Sequence, residues 1–236
     1  GNSKISAFAL SSTIFLVMCG RYSFIWLINK LQDQFGPLKY KSDGTTKYNV
    51  APGSKNPIIL EDENQTQIID FFNWGLVPHW AKGKPNFGFK TINARVESVE
   101  EKAMYKKPFL EKRCIVPASG YYEWKGTAGQ KQPYYIHPKK LSYFGFAGLY
   151  ESWESDSGNK VNSYTIITGP ASKKISEVHD RMPVILKEKN YSKWVSKEQT
   201  TSNALKKILA DFEDNLSYYK VSTSVNNSRN ESSDLI

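Results

Sequence analysis

The chain has 236 residues, enough for one large domain or two small ones with a proper hydrophobic core. With 39% hydrophobic, 14% aromatic and 23% charged residues, it is neither a disordered chain nor a coiled coil. Lys plus Arg number 32 against 23 Asp plus Glu, a formal charge of +9, and two cysteines exclude a disulfide framework and suit a reducing compartment.

Residues Ala7 to Val17 are apolar but too few to span a bilayer. With Lys4 ahead of them they resemble a weak signal peptide, and Leu16-Val17-Met18-Cys19 resembles a lipoprotein cleavage box with Cys19 as the lipidated residue. A single Lys and a bulky Met before the cysteine argue against that. The favoured reading takes Met18 as the true start and residues 1–17 as an extension outside the mature protein.

Ser23 is expected to cap a helix with Phe24, Leu27, Ile28, Leu31 and Phe35 at helical spacing and Gly36 as its stop. Pro57 to Leu60 and Gln67 to Trp74 are expected as paired strands joined by the Glu61 to Thr66 turn. Ser98 and Glu101 form a capping box for a short helix that should end before Pro108. Strand-like runs follow at Arg113 to Ala118, Gly120 to Lys125, Pro133 to His137, Tyr143 to Tyr150 and Ser163 to Thr168, with turns at Lys125 to Lys131 and Ser155 to Lys160. Helical patterns return at Ser172 to Val178, Lys189 to Val195 and Ser202 to Phe212; Val221 to Val225 is expected as a last strand before a polar tail. With neither repeat nor linker visible, the expectation is a strand-rich α+β single domain over residues 18–236.

The positive charge is uneven. Residues 82–113 hold nine basic and four acidic side chains, and a basic surface attracts phosphates. Cys114, inside Cys114-Ile115-Val116, is expected as a buried thiol. Cys19 differs. If Met18 is removed, Cys19 presents an α-amine and a thiol on adjacent carbons. An α-amine has a pKa of about 7.7–8.0, so a useful fraction is neutral at pH 7, unlike lysine at about 10.4. Such an amine condenses with an aldehyde to an iminium, and the thiol then closes a five-membered thiazolidine.

Met18 to Arg21 (Met-Cys-Gly-Arg) resembles the opening of the SRAP family, the SOS-response-associated peptidases also described as abasic-site processing proteins. The resemblance continues through Tyr48 to Gly53, Trp74 to Trp80, Ile92 to Glu97, Gly120 to Lys125 and Val178 to Pro183, six motifs in order. It implies a mostly antiparallel, barrel-like sheet core with peripheral helices. It further implies that Cys19 links to the aldehyde of an abasic site in single-stranded DNA, that Asn93 orients the Cys19 amine, and that Glu123 and His179 move protons. The expected nucleic-acid contacts are Gly20, with no role assigned, Arg21 and Arg95 as bidentate donors to phosphate, Trp74 and Trp124 stacking on bases, Pro52 and Met182 wedging at the sugar or adjacent base, and Thr168 at phosphate. Abasic-site lyase activity, self-removal of the leader, a monomer, and a cytoplasmic, nucleoid-associated or nuclear location go with it. The segment Val225 to Asn230 is family-like without an assigned role. His79, His137, His179 and the two cysteines lack metal-ligand spacing, and no cofactor is expected. The alternatives are a cysteine peptidase acting on proteins, with Cys19 as nucleophile and His179 as base, and an exported lipoprotein.

Overall fold

The Pro57-to-Trp74 hairpin is the seed from which the sheet can be followed. In the computed structural model, which describes residues 19–82, 89–127, 129–198 and 200–236, it consists of β4 (Lys55–Glu61) and β5 (Gln67–Trp74), antiparallel with Ile59 opposite Ile69. β4 is buried without a break from Asn56 to Leu60, as a strand covered on both faces is, while β5 buries Ile69, Phe72 and Trp74 and exposes Asp70. Four elements precede them: β1 (Tyr22–Phe24), α1 (Ile28–Phe35), β2 (Lys39–Tyr40) and β3 (Lys47–Val50). After them come β6 (Asn93–Arg95), α2 (Ala103–Glu111), β7 (Arg113–Ala118), β8 (Gly120–Lys125) and β9 (Gln132–Pro138). The chain ends through β10 (Phe144–Glu154), β11 (Lys160–Pro170), β12 (Arg181–Pro183), α3 (Tyr191–Val195), α4 (Ser202–Ala210) and β13 (Leu216–Lys220).

Strands pair in the order β11-β10-β7-β4-β5, and β5 returns to β11 in parallel through Ser163 opposite Asn73 and Tyr164 opposite Trp74. Five strands thus close on themselves, which removes the exposed edges of an open sheet. The second sheet, β13-β9-β8-β1-β3, is antiparallel throughout. Its inner aromatics meet the barrel: Tyr22 lies edge-on to Trp74 at 5.2 Å and Tyr121 to Phe146 at 5.8 Å between ring centroids. The α+β expectation with a barrel-like, mostly antiparallel core is met.

Several local expectations are corrected. Residues 22–24 are β1, and the helix begins only at Ile28, because the Ser23 hydroxyl is engaged across the sheet with the Tyr135 hydroxyl at 2.7 Å instead of capping. The stop is as expected: Gly36, at φ +88°, donates its N–H to Gln32 O at 3.0 Å. Ser98 opens an isolated turn closed by the Lys102 N–H, and α2 follows as a separate helix that runs through Pro108. Proline there removes the one N–H that would reach Met104, while its ring is buried and its carbonyl accepts from Lys112 N at 2.8 Å. Residues 175–177 and 223–226 form single 3-10 turns, so neither the helix at 172–178 nor the strand at 221–225 exists in the expected form. The last strand is β13, whose pairing to β9 is visible only once the sheet is assembled.

Candidate active site

Cys19 lies three residues before β1, and Glu123 lies on β8, the strand antiparallel to β1. The register places Tyr22 opposite Tyr121, and beyond it Tyr122 N–H donates to Arg21 O at 3.0 Å. One step further, the Cys19 backbone nitrogen donates to Glu123 Oε1 at 2.8 Å. The chain entering β1 and a neighbouring carboxylate are thereby joined at the nitrogen expected to react. Cys19 is 3% and Glu123 2% exposed.

Burial dominates the electrostatics. It raises the Glu123 carboxyl above the usual carboxylate range, opposed by the charge of His179 and by hydrogen bonds from Cys19. Burial likewise pushes the Cys19 thiol well up, and the Glu123 charge pushes it further, while Arg181 pulls it down. The thiol is therefore held as S–H. The Cys19 nitrogen is here a peptide amide whose N–H donates to Glu123; only as a free α-amine would it have a lone pair to offer beside that carboxylate. Cys19 also has φ +48°, the left-handed region that non-glycine residues rarely occupy.

His179 is mostly covered, and its Nδ1 lies 3.1 Å from the Arg181 amide and 3.0 Å from Asp180 Oδ1. Asn93 opens β6, which lies along β11 with Asn93 opposite Ile166, and its carbonyl accepts from Tyr105 Oη at 3.2 Å. Arg181, quoted within a motif but given no role in the sequence, is drawn to the site as well. Its Nη2 donates to Glu97 Oε2 at 3.0 Å and to Thr168 O at 2.9 Å, and its Nη1 bonds Glu97 Oε1, which holds the Glu97 carboxyl below its usual value.

The suggested nucleic-acid contacts divide. Arg95 is exposed, Trp124 and Pro52 are half-buried, and Gly20 is buried beside Cys19 in the chain. Trp74 is fully buried, with its Nε1 donating to Ile92 O at 3.0 Å and one face stacked on Tyr164, so no ring face is left for a base. Thr168 and Met182 are interior too, Thr168 serving through its carbonyl and Met182 through its sulfur, which accepts from Ser172 N. Arg21 is half-buried and directs its Nη1 to Asn49 Oδ1 at 2.9 Å and Val225 O at 2.8 Å, and its Nη2 to Asn226 O at 3.2 Å. The extension and Met18 lie outside the described residues. Among the described residues, no helix is long and apolar enough to cross a membrane.

A family model described as "SOS response associated peptidase (SRAP)" matches residues 18–228. The chain belongs to the SRAP family. Among SRAP relatives, the abasic site processing protein YoqW of Bacillus subtilis is 37% identical over 223 residues, covering 93% of this chain and 99% of that one. The abasic site processing protein HMCES of Xenopus tropicalis is 34% identical over 212 residues, 78% of this chain and 63% of its own. A crystal structure of a protein from Bacteroides thetaiotaomicron superposes with a TM-score of 0.76 at 27% identity, over 87% of this chain and 93% of that one.

Proposed function

We propose that this SRAP chain processes abasic sites in single-stranded DNA by forming a covalent thiazolidine through Cys19, after cleavage before Cys19 has freed its α-amine. The observation that supports this most is the 2.8 Å hydrogen bond from the Cys19 nitrogen to a buried carboxylate, in a chain whose relatives are named for abasic sites. The ring-opened sugar offers a C1′ aldehyde. The neutral amine adds to it, the resulting hydroxyl leaves as water with a proton from Glu123, and an iminium remains. The thiol sulfur then bonds C1′ while its proton passes to Glu123 or His179, closing the ring; one water is released overall. Asn93 orients the amine. An iminium that lingers permits β-elimination, which accounts for accompanying lyase activity.

Removal of the preceding residues fits the same atoms. The φ of Cys19 is defined by the carbonyl before it, so cleavage there abolishes a left-handed torsion whose cost is roughly 1–2 kcal/mol. A peptidase acting on other proteins is less well served: its nucleophile needs a lowered thiol pKa, and here burial and Glu123 raise it.

The test uses protein whose intact mass shows Cys19 as the first residue, incubated with single-stranded DNA carrying one abasic site and run on a denaturing gel. A covalent band is expected that disappears with Cys19→Ala and with intact DNA. Absence of the band with a free Cys19 amine contradicts the proposal.

A further inference from the structure

The carboxy-terminal segment after β13 is family-like in sequence but has no part in the chemistry above, and it lies across the two strands that hold the reacting pair. Asn49, 3% exposed on β3, is its anchor. The Asn49 side-chain amide donates to three main-chain carbonyls of the segment: Asn227 O at 3.0 Å, Asn230 O at 3.1 Å and Val225 O at 3.3 Å. Arg21, two residues beyond Cys19, binds the carbonyls of Val225 and Asn226 and is itself fixed by Asn49 Oδ1. On the other strand, Trp124, next to Glu123, donates its indole N–H to Asn226 Oδ1 at 2.7 Å. Val225 and Leu235 are buried against Tyr122 and Tyr135 beneath this crossing.

A residue two positions from Cys19 and one adjacent to Glu123 are thus gripped by one loop. This matters because the β1–β8 ladder is short, and toward the site only the Tyr122-to-Arg21 backbone bond precedes the Cys19–Glu123 contact. A strand end held by so few bonds frays. We infer that the segment 221–236 is a strap that sets the Cys19–Glu123 distance, with Asn49 and Asn226 as its positioning residues. The main-chain carbonyls, not their side chains, are what Arg21 and Asn49 bind, so the strap works through its fold more than through its composition. Asn226 is the exception, since its side-chain oxygen carries the Trp124 link. The inference rests on the proposed crosslinking for its functional consequence but not for its geometry.

Three variants test it: Asn49→Ala, the exposed Asn226→Ala, and Asn226→Asp, which keeps an acceptor for Trp124. Single-turnover crosslinking is measured at saturating abasic DNA, well below the Tm of each protein, so that fold stability does not enter. The rate constant should fall about tenfold or more in Asn49→Ala, as misplacement of reacting groups produces. It should fall several-fold in Asn226→Ala and return close to wild type in Asn226→Asp. A second readout follows iodoacetamide alkylation of Cys19 by peptide mapping across pH. Releasing the strap hydrates the thiol and removes it from Glu123, so Cys19 in Asn49→Ala should alkylate about tenfold faster at pH 8, the ratio for one unit of thiol pKa. Wild-type rate constants and alkylation profiles in both alanine variants would overturn the strap. If Asn49→Ala does not fold, Asn226→Ala with its Asp rescue decides. If the wild-type protein itself forms no crosslink, the proposed function fails, and the alkylation profiles alone decide whether the strap positions Cys19.

Discussion

Glu123 shows how a single buried carboxylate can be both the asset and the weak point of this protein. Its folded pKa is raised, chiefly by burial, so its contribution to stability is fully present below the unfolded carboxylate pKa of about 4.5 and is lost as pH rises through the raised value. Above that value the folded state carries an ionised group in the interior. Glu123→Gln, made in the chain in which residue 18 still precedes Cys19, should therefore melt higher than wild type at pH 8. The gain should shrink to nothing as pH is lowered toward 4, as followed by thermal unfolding across pH. The same substitution made in protein whose first residue is Cys19 should lose crosslinking, having no proton to give or take, so stability and reactivity separate at one side chain. A variant that melts lower than wild type at pH 8 would mean that the hydrogen bond to Cys19 outweighs the burial. The motif Gly120 to Lys125 made Glu123 legible in the sequence because function concentrates there. Arg181 was not legible as more than one motif letter, since its link to Thr168 O depends on β12 lying against β11. Trp74 misled for the opposite reason: a tryptophan in a motif reads equally well as platform or core, and only its neighbours Tyr22 and Tyr164 decide.

At the scale of elements, what the sequence disclosed were the longer strands. β5, β7 and β8 lie where the pattern put them: β7 is buried throughout, β8 from Gly120 to Glu123, and β5 at Ile69, Phe72 and Trp74. β1, β2, β6 and β12 have two or three residues each and exist only because a distant partner supplies their hydrogen bonds. Such pairings also fix which glycines matter. A Cβ on Gly148, in the middle of β10, would lie 2.8 Å from Cys114 Sγ and 3.2 Å from Thr165 O, on the strands to either side. Gly148→Ala should therefore destabilise by about 1–3 kcal/mol through overpacking of the barrel wall. In a chain of this size that lowers Tm by roughly 2–4 °C per kcal/mol. Adding Cys114→Ala should recover part of the loss, a non-additivity expected only if the two side chains collide. At the edge of the fold, Thr201 caps α4 by accepting from Ala204 N at 3.2 Å, and Thr201→Ala should cost about 1 kcal/mol in denaturant unfolding.

On the scale of the whole molecule, the basic run at 82–113 is less of a patch than its count of charges suggests. Arg113 is buried, its guanidinium bound to the carbonyls of Trp194, Phe109, Leu110 and Ser196. Lys112 is paired with the buried Glu151, and Lys107 with Glu111 at 3.9 Å. Lys82, Lys90, Arg95, Lys102 and Lys106 remain exposed among the described residues of this stretch. Any attraction for the DNA proposed above then draws on these side chains within a chain of formal net charge +9. Two salt dependences should consequently differ. Affinity for intact single-stranded DNA should fall linearly in log–log form as salt rises, with a slope of about −0.7 per phosphate neutralised. The crosslinking rate constant at saturating abasic DNA should hardly change, because the pair that reacts is buried, where ions screen little. Arg95→Ala should make the binding slope shallower by about 0.7 if Arg95 neutralises one phosphate. Fluorescence anisotropy over a salt series measures the slopes, and quenched crosslinking reactions over the same series measure the rates. An unchanged slope in Arg95→Ala would take that side chain off the DNA path. A saturated rate constant that falls as steeply as the affinity would place the reacting nitrogen in contact with bulk solvent, contrary to the enclosure of Cys19 and Glu123.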